Sequence, residues 1–449
     1  MNGRVALIYP YFRTAAPVQQ LFPPLGIATL AGQMMSLGLA VDQYDCTFRT
    51  LEDVVDDVTE KGAAIVGIYV MITLSRPAFD LLDRIKEALP DALTVTGGPL
   101  PTLYPERFAK RFDLVFRGEA DLSFPSFCRD RLASPGPGVE GGLELSKYPG
   151  LYRARNGDVL QVPPPHLTSE EIDALPIPDR NGVDQRAYQD FWMKRIGGRM
   201  ATLMTTRGCP HDCDFCSKPI FGDRFRKRSV ERIMEEVRDL VRLGYDHIWV
   251  GDDSFTLDLD HVRSFCGAMT TSGLGLRWTC LSRVDAIDER TAIMMAEAGC
   301  FKVYMGLESG SDATLKLMNK RATVAEGARA VRLFHDAGIE VGAFFMVGYP
   351  GESIESVEST FALALSLPLD EISFNVPYPL PGSALYSRVE ILSREDDWEV
   401  ENDVRFLFRS DFDEKWLKRR ISETMAEFAR TRGGIPNGAS DLRSTVIGK

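Results

Sequence analysis

The sequence predicts an α/β protein built on two sheets: an N-terminal doubly wound, Rossmann-like domain, then a partial (β/α)6 barrel, then a small helical C-terminal segment. Three observations carry this reading. Five short β-rich runs alternate with amphipathic stretches before residue 133, six more strand–helix units begin at Ala201, and a breaker-rich stretch separates the two series.

In the first series the strands are Val5–Tyr9, Ala40–Tyr44, Ala64–Val70, Leu93–Gly97 and Leu114–Phe116. Five such units make an open parallel sheet, whose ligand site lies beyond the carboxyl ends of the strands where the strand order reverses. The segments found there, YPYFRTAAPVQQLFPPLG, YVMITLSRPAF, TGGPLPTLYPE and FRGEADLSF, are rich in Gly, Pro and hydroxyls, which lets backbone approach a large ligand. From Ser134, SPGPGVEGG breaks the pattern, and YRARNGDVLQV reads as a hairpin turning at Asn156 and Gly157 within a Pro-rich linker. The second series comprises Ala201–Thr206, His247–Gly251, Arg277–Leu281, Lys302–Leu307, Val341–Val347 and Glu371–Val376. Six units are too few for an eightfold barrel, so an open barrel with its site at the strands' carboxyl ends is expected. Beyond about residue 383, Trp398, Trp416 and EKWLKRRISETMAEFARTRGG read as a helical cap with a frayed tail.

The 449 residues are 44% hydrophobic, enough for a core in each domain, and the net charge of −12 argues against a broad nucleic-acid or anionic-membrane surface. A small-molecule partner fits better. Neither a signal peptide nor a spanning helix is read from the sequence, so the cytoplasm is the expected location, where the eight cysteines should be reduced. A cluster among them therefore points to metal or catalysis rather than disulfides.

Such a cluster exists. In TTRGCPHDCDFCSKPIFG, Cys209, Cys213 and Cys216 stand at C-x3-C-x2-C directly after the first strand of the second series. Three thiolates on one short loop can hold three irons of a four-iron cluster and leave the fourth iron open to an exogenous ligand. A zinc knuckle using His211 as fourth ligand is the alternative, but four ligands within one eight-residue loop would be strained. Cys266, Cys280 and Cys300 read as small buried hydrophobes. Arg224–Arg228, RFRKR, reads as a solvated basic run, with Ser229 as the N-cap of the helix that follows.

The cysteine loop, with Phe215 before its last cysteine, resembles the radical S-adenosylmethionine superfamily, and the preceding domain resembles the cobalamin-binding domain joined to it in one large subgroup, the cobalamin-dependent radical methylases. The resemblance covers about 1 to 385 and includes WVGDDSFTLD, WTCLSRVD, VYMGLESGSDATLKLMNK, FFMVGYPGES and PYPLPGS in that order. It implies a cobalamin-binding domain at 1–133, a linker at 134–195, a radical barrel at 196–382 and a helical segment at 383–449. It further implies a 4Fe-4S cluster on Cys209, Cys213 and Cys216, whose open iron is chelated by the amino and carboxylate groups of S-adenosylmethionine. With Phe215 beside them, Asp253 is expected at the amino end, Arg283 at the carboxylate, Glu308 at the amino or ribose groups, and Gly348 under the adenine.

For cobalamin the expected residues are Met71, Ile72, Thr73, Ser75, Gly97, Gly98 and Glu119. None of the five histidines precedes His166, so the corrin would bind without a protein imidazole, with Met71 or Ile72 covering the lower cobalt face. A missing axial donor eases access to the nucleophilic cobalt state that takes a methyl group. The resemblance also implies that the two cofactors face each other. The expected activity is transfer of a methyl group from methylcobalamin to an unactivated carbon of a small secondary metabolite, free or carrier-protein-bound, with flavodoxin or ferredoxin as external reductant. A cobalamin-dependent cyclisation, ring contraction or redox reaction without net methyl transfer is the alternative, and a non-catalytic iron–sulfur or zinc protein a third reading. No catalytic side chain is assigned, because the cofactors carry the chemistry. Tyr304, Asn375 and Tyr378 are candidates to face the substrate cavity.

Overall fold

The computed structural model describes residues 3–13, 20–134, 136, 141–155, 157–392 and 405–432. The chain divides into two compact units: Met1–Thr202 with Pro219–Arg228 and Arg238–Tyr245, and Leu203–Lys218 with Ser229–Val237 and Asp246–Lys449.

The first unit is built on strands β1 (Arg4–Tyr9), β2 (Ala40–Asp45), β3 (Ala63–Tyr69), β4 (Leu93–Gly97), β5 (Leu114–Phe116), β6 (Leu151–Arg155) and β7 (Asp158–Gln161). Their order is β2-β1-β3-β4-β5-β6-β7, parallel through β5. Alternation along β1 shows why both faces are covered. Val5 and Leu7 pack with Ile27, Ala31 and Met34 of the helix Leu25–Ser36. Ala6 and Ile8 pack with Val54 and Val58 of Leu51–Lys61 and with Leu81 and Ile85 of Ser75–Ala88. Thr50 and Asp53 close a capping box at one end of Leu51–Lys61, and Gly62, at φ 63°, ends it in the left-handed conformation that glycine takes without strain.

Two features differ from the sequence-based expectation. The hairpin does not stand alone in a linker: Tyr152 pairs with Val115 and Leu151 with Phe116, extending the sheet to seven strands. Both hairpin residues are buried, so their apolar side chains draw the hairpin onto β5, which would otherwise be an open edge. Of its expected turn, Asn156 lies outside the described residues. Nor is the whole Arg224–Arg228 run solvated. Arg226 is 7% exposed and its Nη1 donates to Glu119 Oε2 and to Leu167 O at 2.9 Å, both within the first unit.

The second sheet has the order β13-β12-β11-β10-β9-β8, with β8 (Met200–Leu203), β9 (His247–Val250), β10 (Arg277–Ser282), β11 (Cys300–Glu308), β12 (Glu340–Met346) and β13 (Glu371–Asn375). Neighbours from β9 to β13 are parallel. Val303, Met305 and Leu307 of β11 are buried, whereas Lys302, Tyr304 and Gly306 occupy its other, half-buried face. Trp278 is fully buried, edge-on to Phe255 and Phe265 at 5.5 and 5.4 Å, with its indole N–H on Ala298 O. Ser229 accepts from Arg232 N and so caps the following helix. In the C-terminal helix Glu414–Thr431, Leu417, Ile421, Thr424 and Phe428 form one buried stripe, and Arg420 makes a two-pronged ion pair with Glu358. Trp398 and the tail beyond Arg432 lie outside the described residues. No helix among the described residues is long and apolar enough to cross a membrane.

Candidate functional site

Parallel strands place their carboxyl-terminal residues on one rim, and in the second unit that rim opens into a cavity of 240 Å³. Asp253 and Ser254 enter it after β9, Ser282 and Arg283 at the end of β10, Tyr304, Gly306 and Glu308 from β11, and Phe344 from β12. Lys320, which the sequence reading passed over, lines it as well. The three charged residues expected at one ligand thus share one cavity.

Their partners differ in kind. Asp253 Oδ2 accepts from Gly208 N at 3.1 Å, which ties the rim to the residue before the first cysteine. The Arg283 guanidinium is held by both oxygens of Asp285 at 2.9 Å, by Lys320 O at 2.9 Å and by Cys213 Sγ at 3.8 Å. Burial opposes its charge, but Asp285 and Cys213 more than compensate and its pKa is raised. Glu308 receives Lys320 Nζ at 2.8 Å and sits at φ 62°, a conformation that costs a β-carbon-bearing residue energy and turns its carboxylate at the strand end. A register shift between Gly306 and Glu308 makes that turn possible.

The cysteine loop is stitched from several sides. Lys218 Nζ donates to Cys209 O and His211 O, at 2.7 and 2.5 Å, and Cys216 N donates to Cys213 O at 3.0 Å. Asp214, between two of the cysteines, accepts from Tyr349 Oη and from Arg388, each at 2.6 Å, and its backbone bonds Met318 and Leu385. Phe215 packs beside Met318, Tyr349 and Leu385. All three thiols are free of disulfides. Desolvation, and then neighbouring Cys213 and Asp253, push the Cys216 thiol up to about 11. Burial and then Arg283 push His211 down. Among the described residues no three Cys, His, Asp or Glu side chains are gathered to one point as a metal set. The donor chemistry nonetheless fits an iron–sulfur cluster: three unpaired thiols on one anchored loop beside a guanidinium that can offset their charge.

Gly348 is at φ 79°, and a β-carbon there would lie 2.7 Å from Phe406 and 3.1 Å from Leu417. The positive φ and the packing of Phe406 both call for glycine at this point. Its N–H, with that of Tyr349, is held by Glu352 Oε2. Asn375 lies on β13 with Oδ1 buried and without a hydrogen bond.

In the first unit the strand order reverses between β1 and β3. At that switch the ends of β3 and β4 carry half-buried Met71, Ile72, Gly97 and Gly98 and exposed Thr73, with Ser75 buried at the start of its helix. Gly98, at φ 106°, lets Val70 O and the Tyr69 ring approach to 2.6 and 3.0 Å of where a β-carbon would stand. Tyr9 and Tyr69 meet there at 5.7 Å. This rim of glycine, aliphatic, aromatic and hydroxyl-bearing residues without a histidine is where most of the expected corrin contacts lie. Glu119 does not belong to the rim: it is 1% exposed and engaged by Arg226 and Leu167 N.

Comparison with known proteins matches residues 203–364 to the radical SAM superfamily and 14–127 to the B12 binding domain. An uncharacterised methyltransferase of Pyrococcus horikoshii is 33% identical over 376 residues, 81% of this chain and 78% of that protein. The anaerobic magnesium-protoporphyrin IX monomethyl ester cyclase of Rubrivivax gelatinosus is 28% identical over 428 residues, 91% of this chain and 74% of its own. The fold is shared with the radical S-adenosylmethionine methyltransferase TsrM from Kitasatospora setae, a structure with cobalamin and a 4Fe-4S cluster bound: TM-score 0.75, 20% identity, 87% of this chain and 75% of that one. The chain belongs to the radical S-adenosylmethionine superfamily, in the cobalamin-dependent group that carries a B12-binding domain before the barrel. Its cofactors are accordingly a 4Fe-4S cluster, S-adenosylmethionine and cobalamin.

Proposed function

We propose that the protein is a cobalamin-dependent radical methyltransferase that places a methyl group on an unactivated carbon of a small metabolite, free or carrier-protein-bound. The observation that carries this is the convergence of Asp253, Arg283 and Glu308 on one cavity beside the cysteine loop, in a chain that also has a corrin-type rim. When bound, the cofactors supply the electron, the 5'-deoxyadenosyl radical and the methyl group.

The protein's part is to bind and orient. Cys209, Cys213 and Cys216 hold the cluster, and the Lys218 and Asp214 contacts fix the path of their loop. Asp253 and Glu308 stand on the rim to receive the amino end and ribose of S-adenosylmethionine. Tyr304 and Phe344, stacked at 5.6 Å, wall the same cavity with apolar surface that excludes water from a reactive carbon. Met71, Ile72, Thr73, Ser75, Gly97 and Gly98 form the corrin seat. The reductant is an external one-electron donor such as flavodoxin or ferredoxin, and a reducing cytoplasm suits the free thiols.

Anaerobic titration of the cluster-reconstituted protein with cobalamin tests the first cofactor: near-stoichiometric retention with a base-off spectrum is expected, and no retention would reduce the reading to a radical enzyme without cobalamin. Product mass tests the chemistry. A gain of one CH2 per turnover supports methyl transfer. An unchanged or hydrogen-depleted product supports a cyclase-type reaction instead, the second reading that the likeness to the Rubrivivax cyclase over 91% of this chain favours.

A further inference from the structure

Arg283 looks like the obvious cation for the carboxylate of S-adenosylmethionine, yet its guanidinium is already committed. Two of its nitrogens hold Asp285, one of them also Lys320 O, and the third points to Cys213 Sγ. Its charge is matched before any ligand arrives.

Lys320 is in the opposite situation. The residue is 6% exposed and lines the cavity, and its ammonium donates to Glu308 Oε1 at 2.8 Å. An ammonium has three donors, and the protein engages one of them, so the other two are available to a ligand in the cavity. Nζ stands 5.9 Å from the ring of Phe215, the residue before Cys216, so it lies beside the cluster loop. Gly306 keeps this position open: a β-carbon there would come within 2.9 Å of Nζ and would also strike Glu308.

We propose that Lys320, not Arg283, is the positioning cation for the carboxylate of S-adenosylmethionine, with Glu308 holding Nζ in place from the other side. This rests on the reading of the cavity as the S-adenosylmethionine site. With S-adenosylmethionine bound beside the cluster, Lys320 would donate to its carboxylate while Glu308 holds Nζ.

The test is anaerobic equilibrium binding to the full-length, cluster-reconstituted protein of two probes: S-adenosylhomocysteine, which carries the amino-acid carboxylate, and 5'-methylthioadenosine, which lacks it. Lys320→Met should weaken S-adenosylhomocysteine about 10- to 100-fold, the range of a hydrogen bond to a charged group, and leave 5'-methylthioadenosine unchanged. Lys320→Arg should restore part of the loss. Should the Met variant lose its cluster, Lys320→Gln, which can still hydrogen-bond Glu308 without the charge, repeats the comparison. Equal weakening of both probes means that Lys320 only shapes the pocket, and a selective loss in Arg283→Met but not in Lys320→Met returns the role to Arg283; either overturns the proposal. A wild-type protein that binds neither probe overturns the site reading itself.

Discussion

Glu352 is a buried carboxyl whose Oε2 accepts two backbone N–H groups, from Gly348 and Tyr349, while Oε1 is buried without a partner. Desolvation outweighs those bonds and lifts its pKa from 4.5 to about 7. A carboxyl raised in the folded state contributes stability that is present below pH 4.5 and lost as the pH rises through about 7, because the unfolded chain releases its proton first. The loss amounts to about 3 kcal/mol at most. Glu352→Gln keeps a carbonyl for the two N–H groups and has no charge to bury, so its unfolding midpoint should exceed the wild type's at pH 8 and converge with it near pH 4.5. Parallel pH profiles for the two proteins would refute this. Cys213 gives a second residue-level expectation. Cys213→Ala should lose iron and 5'-deoxyadenosine formation while cobalamin retention is unchanged, and wild-type iron content in the variant would remove Cys213 from the cluster.

At the level of elements, the strands were legible because each follows a local rule. Leu93–Gly97 alternates apolar residues with β-branched threonines and Leu114–Phe116 is a short apolar run, and both begin and end where the sequence places them. The hairpin Leu151–Gln161 was legible as a hairpin, but not as the continuation of β5, because an edge pairing depends on residues some 35 positions away. Arg226 was misread for the same reason: its partner Glu119 is 107 positions back. The residue types of the site could be read because its motifs are local, whereas Lys320 required knowing which guanidinium was already occupied. The cysteine loop adds an element-level prediction. Tyr349 Oη on Asp214 ties that loop to the turn after β12, and Arg388 ties it to the helix Ala384–Arg388. A hydrogen bond to a carboxylate is worth about 1.5–3 kcal/mol. Tyr349→Phe should therefore lower stability to denaturant by that amount and shorten the lifetime of the reconstituted cluster. If stability falls while cluster lifetime is unaffected, the contact serves the fold and not the loop.

The molecule as a whole is not assembled in simple sequence order, since Pro219–Arg228 belongs with the first unit although it follows the cysteine loop of the second. Arg226 is the residue that makes this return matter. It meets Glu119 at a point where the two side chains are 7% and 0% exposed, and removing one partner of such a buried pair costs about 3–5 kcal/mol because a charge is left in a dry place. A fragment ending at Thr202 takes Arg226 away from Glu119. Replacing Glu119 by Gln should then have opposite effects in the two settings. In the full chain it removes the charge that Arg226 needs and should speed hydrogen exchange in β5 and its neighbours. In the fragment it removes a carboxylate deprived of that partner and should slow the same exchange. Opposite signs would establish that the first unit is completed by a segment contributed from beyond the cluster loop. The same sign in both proteins would mean that Glu119 finds adequate compensation without Arg226, and that the N-terminal segment folds as a self-sufficient domain.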